Sequence, residues 1–325
     1  MKWSKSVNYL YRITRAEEWK DTKLSWLYIA LGMVFLKSGP GFIEQIKLIV
    51  LYTLLSAVFF ASVAIANDYA DKETDQKVGK DKLLYDWSQK KFLGTMITLF
   101  LFYSLLIFSL SQNIVHIFLS IFLFIFGALG YSLKPLRLKE KGFLGILTGD
   151  LLRVVPLLLL FLFQGSFGLL ETAFLFFVTV LGLRQMFIHQ IKDLVNDETT
   201  DTNTFVVKTN KNTSVFIAQK LILPTEVIFL LFLIYLYGTI VSNTIYLLAV
   251  IYIIFWSFLY IFRKKVFSKI NQLSTTNSFL ADFYFFWWPI FTGLLVFWKL
   301  DSPFILLITL YLQKWHLVNL AKKVV

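Results

Sequence analysis

The 325-residue chain predicts an all-α polytopic membrane protein of nine or ten transmembrane helices. Three observations carry that prediction. The composition is 57% hydrophobic and 18% aromatic, with a mean hydropathy of +0.68. Apolar stretches of spanning length follow one another along the whole chain. The basic residues crowd into alternate connections between those stretches. A soluble globule of this length could not cover itself with so little polar surface.

The apolar stretches lie near 23–37, 46–66, 92–112, 114–133, 143–163, 169–191, 219–239, 243–263, 280–299 and 302–317. A helix needs about 20 residues to cross a bilayer. The first and last stretches are short, hence nine or ten crossings. Six Lys or Arg precede or open the first stretch, six lie between Lys72 and Lys91, and four lie between Lys134 and Lys141. Lys192, Lys208, Lys211 and Lys220 make four more, Arg263 to Lys269 another four, and three follow Gln313, so 27 of the 32 are placed. The intervening turns, Ser111 to Asn113, Gln164 to Leu170 and Tyr237 to Asn243, hold none. This alternation is the positive-inside pattern. It predicts a multi-pass protein of the cell (plasma) membrane with residues 1–22 as a cytoplasmic N-terminal segment. It also accounts for the net charge of +12 without nucleic acid as a partner.

The N-terminal segment carries Lys2, Lys5, Arg12, Arg15 and Lys20 but no apolar core, which argues against a cleaved signal peptide. No cysteine is present, so disulfides, thiolate metal sites and cysteine nucleophiles are excluded. No Pro- or Ser-rich linker divides the chain, so residues 1–325 read as a single membrane domain. Within it two pseudo-repeated halves are expected. In each, an acidic run follows an even-numbered span, and a further hydrophobic pair follows a basic connection.

Those acidic runs share one spacing. The first is Asn67-Asp68-Tyr69-Ala70-Asp71-Lys72-Glu73-Thr74-Asp75, and the second is Asp193-Leu194-Val195-Asn196-Asp197-Glu198-Thr199-Thr200-Asp201. Positions 67, 71 and 75 repeat as 193, 197 and 201, an i, i+4, i+8 ladder along one helix face. Each run holds four of the chain's 20 Asp and Glu. Stacked like charges destabilise a helix unless something neutralises them. Two carboxylate rows beside apolar spans point to divalent cations, with Mg²⁺ and its preference for carboxylate and phosphate oxygens the best match. Lys72, Lys77, Lys80 and Lys82 around the first run, and Lys192 and Lys208 around the second, could bind the remaining phosphate oxygens. The plainer account is a pair of solvated loops that set topology, but acidic residues are not needed for that.

A third segment, Tyr131-Ser132-Leu133-Lys134-Pro135-Leu136-Arg137-Leu138-Lys139-Glu140-Lys141-Gly142, ends a span at a proline. Alone it reads as an interfacial anchor. Beside the two ladders, Lys134 and Arg137 become candidates for phosphate contact. Asp150, Arg153 and Arg184 lie at membrane depth, where charge marks function by default. The competing account pairs Asp150 with Arg153 at i, i+3. His189 could serve as a general base or simply pack at a helix end. The aromatic stretch Phe285 to Pro289 could line a greasy tunnel, but in a membrane protein such residues more often pack in the core or face lipid, so none is assigned to a pocket.

These motifs carry a resemblance. NDYADKETD resembles the NDxxDxxxD motif of the UbiA superfamily of intramembrane prenyltransferases, and DLVNDETTD resembles its second, DxxxD-type motif after the sixth span. YSLKPLRLKEKG resembles the YSxPPxRLK-type loop between spans four and five. The sequence departs at His189, where many members have Tyr, at Asn196 and Lys134, and at Lys80-Asp81-Lys82-Leu83, which lacks an Arg-Pro pair. The resemblance implies an all-helical membrane fold around a central cavity and Mg²⁺-dependent transfer of a polyprenyl group from its diphosphate to a hydrophobic acceptor, often aromatic, within the bilayer. It implies that Asn67, Asp71 and Asp75 serve one metal cluster and Asp193, Asp197 and Asp201 the other. Asp68, off the ladder's face, joins Asp71 and Asp197 as a catalytic candidate. Lys77, Lys134, Arg137, Lys192 and Lys208 are the diphosphate candidates, with Tyr131 and His189 lining the pocket. A terpene cyclase of the same superfamily, acting without an acceptor, is the alternative. A transporter is more distant, because transport calls for polar groups at the bilayer centre of both halves.

Overall fold

The computed structural model describes residues 5–77, 79, 82–200, 202, 204–262 and 279–314, which are helices and short connections with no strand among them. In chain order the helices are α1 (Lys5–Ile13), α2 (Ala16–Trp19), α3 (Lys23–Ser38), α4 (Phe42–Ala70), α5 (Lys72–Lys77), α6 (Gln89–Leu110) and α7 (Ile114–Phe124). They continue with α8 (Phe143–Phe163), α9 (Leu169–Thr199), α10 (Phe205–Thr209), α11 (Lys211–Phe216), α12 (Leu223–Ile240) and α13 (Thr244–Phe262). The helices Phe279–Asp282, Trp288–Leu300 and Phe304–Leu312 complete the described chain. Wider π-type turns extend α7 through Ile125–Gly130, join α11 to α12 through Ile217–Ile222, and precede Trp288 at Phe283–Trp287.

Local chemistry sets the ends. Gly39 closes α3 in the left-handed region at φ 57, its N–H donating to the Phe35 carbonyl at 2.8 Å. The Ser88 hydroxyl caps α6 by accepting from the Lys91 N–H, and the Asn113 side chain caps α7 by accepting from the Val115 N–H at 2.9 Å.

Among the described residues, six helices are long and apolar enough to cross a membrane: Phe42–Ala70, Gln89–Leu110, Phe143–Phe163, Leu169–Thr199, Lys211–Ile240 and Phe283–Leu300. Ile114–Gly130 and the Thr244–Ser257 part of α13 are shorter apolar stretches. The sequence predicts nine or ten crossings, and these six helices among the described residues meet the full length. The 16 residues of α3 rise about 24 Å against a hydrocarbon core of about 30 Å. Phe304–Leu312 is shorter still at 9 residues.

The bundle is apolar on both sides. Its outer faces expose Ile97, Leu105, Phe118, Phe122, Leu231 and Ile254 as a lipid-facing surface. Inside, Trp26 of α3 packs its ring against Phe174, Phe177, Tyr284, Phe285 and Trp288 at centroid distances of 5.5–6.4 Å. The Phe285–Pro289 stretch therefore belongs to the core, with Trp288 fully buried.

Several buried charges find partners across the bundle. Arg184 of α9 makes a two-pronged bond to Glu226 of α12, Nε to Oε2 at 2.5 Å and Nη2 to Oε1 at 2.9 Å. Tyr284 donates its hydroxyl to the same carboxylate at 2.9 Å. Arg153 stands 3.8 Å from Asp150 on its own helix and also hydrogen-bonds Gln185 of α9. A Cβ at Gly182 would fall inside the Asp150 carboxylate, so glycine there is what lets α8 and α9 approach. At the far end of the bundle Lys37 pairs with the buried Glu171 at 2.7 Å.

Candidate functional site

The first acidic run straddles a bend. Asp71 caps α4 at φ −93, ψ 2, and helix resumes with α5 at Lys72. The Asp71 N–H still donates to the Asn67 carbonyl (3.0 Å) and the Asp75 N–H to the Asp71 carbonyl (2.8 Å), so the ladder survives. The second run continues α9 without a break as far as Thr199. Asp201 lies outside the described residues.

Both runs open onto one cavity of about 220 Å³. Asn67, Asp71 and Asp75 line one wall, and His189, Asp193, Asn196 and Asp197 line the other. Tyr131 and Met186 also face it, and Arg15, Lys82 and Lys139 contribute cations. The C-terminal ends of α4 and α9 therefore meet at the same end of the bundle.

Cations hold the first run. Lys139 donates to the Asn67 amide oxygen at 3.1 Å and hydrogen-bonds Asp71. The Arg137 guanidinium stands 3.5 Å from Asp71 and turns its Nε to Glu140 at 2.6 Å. Asp75 accepts from the Tyr85 hydroxyl at 2.5 Å and pairs with Lys82 at 2.8 Å. Burial would lower the Lys82 ammonium, but its bonds to Asp68 and Asp75 outweigh burial and raise its pKa. At Lys139 burial wins over Asp71, and the ammonium titrates below its ordinary value. Burial and the neighbouring Asp75 together push the Tyr85 phenol up.

On the opposite wall His189 Nδ1 lies 3.1 Å from Asp193 Oδ2, one turn along α9. Thr204 donates its hydroxyl to Asp197 at 3.1 Å.

Asp68 is placed elsewhere. It is buried behind the cavity wall, where it accepts from Lys82 at 2.7 Å and Arg15 at 3.3 Å and lines a neighbouring pocket with Arg12 and Glu18. Its position one residue off the ladder's face put it there. Of the five diphosphate candidates, none lines the cavity of the two motifs. Lys77 and Lys192 are exposed, and Lys134, Arg137 and Lys208 line a separate groove. The cations that do face the cavity are Arg15, Lys82 and Lys139. Lys139 was within reach of sequence reasoning, since it is the lysine of the RLK stretch. Arg15 had no such signal: it reaches the site from a left-handed turn (φ 51) between α1 and α2, 53 residues before Asp68.

The oxygen-rich lining suits a hard cation. Among the described residues no three His, Cys, Asp or Glu form a metal-holding group, so a bound ion would need oxygens from elsewhere. Mg²⁺ is commonly held that way, by one or two carboxylates plus substrate phosphates.

Fold and site together define an integral, multi-pass helical membrane protein with paired acidic motifs converging at one end of the bundle. The model of the UbiA prenyltransferase family matches residues 25–290, and the chain belongs to that family. Comparison with curated proteins and with solved structures gives no significant match.

Proposed function

We propose that the protein transfers a polyprenyl group from its diphosphate to a hydrophobic acceptor in the bilayer, with Mg²⁺ as cofactor. The observation that carries this reading is the single cavity lined by both acidic runs and by three cations. Asn67, Asp71 and Asp75 on one wall, and Asp193 and Asp197 on the other, are the residues that would hold the metal. Mg²⁺ bound there would supply the positive charge that makes diphosphate a good leaving group.

The chain's own residues do the rest. Arg15, Lys82 and Lys139 exchange carboxylate partners for phosphate oxygens when the donor enters, and so orient the diphosphate through charge-assisted bonds. Thr204 keeps Asp197 turned toward the cavity, and Tyr85 does the same for Asp75. Tyr131 and Met186 offer a less charged surface to the prenyl chain. His189, paired with Asp193, is placed to accept a proton from an acceptor hydroxyl. The positive-inside pattern supports a cytoplasmic position for this end of the bundle, in a protein of the plasma membrane. The two acidic ladders, each ending a long helix, fit a protein built of two related halves, and residues 1–325 act as one domain.

The test is product analysis with purified protein, radiolabelled prenyl diphosphates and a panel of aromatic and lipid acceptors. Asp71→Asn and Asp197→Asn should each abolish transfer, as should EDTA, with the protein still folded. Full activity in either variant, or in EDTA, would refute the assignment. Product formed equally well without any acceptor would convert the reading to a terpene cyclase.

A further inference from the structure

Lys134, Arg137 and Lys208, set apart from the motif cavity, meet one another. With Lys141 they line a groove of about 690 Å³ between the 131–142 connection and α10, and it shares no lining residue with the motif cavity. Its acid, Glu140, already accepts from Arg137 at 2.6 Å. Lys134, Lys141 and Lys208 are exposed, and none has an ion-pair partner among the described residues. Four cations against one carboxylate leave the groove strongly positive.

Its flank is apolar. Leu136, in the groove wall, is 47% exposed, and Phe143 and Leu144, which begin the spanning helix α8, are 52% and 47% exposed. Uncompensated ammonium groups beside exposed apolar side chains, at the end of a membrane-spanning helix, match the layered chemistry of a lipid: phosphate outside, acyl chain within. A soluble diphosphate would use the same cations but has nothing to place against Leu136 and Phe143.

We propose that this groove binds the phosphate of an anionic membrane lipid, held by Lys134, Arg137, Lys141 and Lys208 with its acyl chains against Leu136 and Phe143. The site is coupled to the acidic runs through one side chain. The Arg137 guanidinium that would meet the lipid phosphate also stands 3.5 Å from Asp71 and donates to the Ala70 carbonyl at 3.5 Å.

Native mass spectrometry of the purified full-length protein tests this, with phosphatidylglycerol and phosphatidylcholine as probes. The wild type should retain phosphatidylglycerol in preference to phosphatidylcholine. Replacing Lys134, Lys141 and Lys208 together by Gln should cut that retention by roughly ten-fold or more, given the contribution of each cation near an anionic surface. Replacing the three by Arg should preserve it. Equal phosphatidylglycerol retention in the wild type and the Gln variant would overturn the proposal. So would displacement of the lipid from the wild type by inorganic diphosphate, which would make this a groove for soluble anions. If the triple Gln variant does not fold, the single exposed change Lys141→Glu decides: weakened retention supports the site, and unchanged retention overturns it.

Discussion

Replacing Glu226 by Ala strands the Arg184 guanidinium in the middle of the bundle. Glu226 is 0% and Arg184 9% exposed, so water cannot take the carboxylate's place. Removing one partner of a buried ion pair costs about 3–5 kcal/mol, because the remaining charge stays desolvated. The Tyr284 hydroxyl loses its acceptor as well, a further penalty of about 1–3 kcal/mol for a buried group left unsatisfied. Both losses pass through one carboxylate and are not independent, so the expected total is about 4–6 kcal/mol. Unfolding by SDS titration in mixed micelles, followed by tryptophan fluorescence, measures it directly. The informative control is Arg184→Met with Glu226→Leu, which removes both charges and should return stability to within about 2 kcal/mol of the wild type. A single Glu226→Ala variant that loses less than about 1 kcal/mol, or a double variant as unstable as the single, would refute the account of a charge pair that matters because it is buried.

The remaining predictions address the site and the packing around it. Lys139→Gln should raise the donor KM by roughly 10–150-fold, the equivalent of the ~1.5–3 kcal/mol of a charge-assisted bond, in steady-state assays with a labelled prenyl diphosphate. The exposed Lys90→Gln should change it by no more than about two-fold, as for other solvent-screened cations; similar effects from both would mean that the cavity cations act only through bulk charge. Gly182→Ala should destabilise the protein by about 1–3 kcal/mol in the same SDS titration, since the added methyl meets the Asp150 carboxylate. Single cysteines at Lys77 and Lys208 should react with a membrane-impermeant label from the cytoplasmic face, and cysteines at Asn113 and Asn243 from the other. Labelling of Lys77 and Lys208 from opposite faces would separate the two acidic runs and dismantle the site.

What was legible in the sequence was what short-range periodicity encodes. Spanning stretches announce themselves because the bilayer demands about 20 apolar residues in succession. The ladders at 67, 71, 75 and at 193, 197 are set by helical spacing alone, which is why even the bend at Asp71 leaves them aligned. The same spacing puts Asp68 off that face. Less could be said of the 131–142 connection. It offers four cations within eight residues, and nothing local tells which one turns inward. Arg137 adopts a left-handed backbone (φ 39) there, and past that turn Lys139, not Lys134, reaches the cavity.

Composition, topology signals and the spacing of acids were thus determined by the chain itself, through hydrophobicity and the helical repeat. Partnership was decided only by the tertiary structure. Arg15 meets Asp68 across 53 residues, Lys139 meets Asp71 across 68, Arg184 meets Glu226 across 42, and Tyr284 meets Glu226 across 58. Each pairing depends on which helices lie side by side, and that is fixed by the packing of whole faces, such as the rings gathered around Trp26, and not by any local pattern. A charge at membrane depth tells a reader of the sequence that a partner must exist. Only the packed bundle says which one.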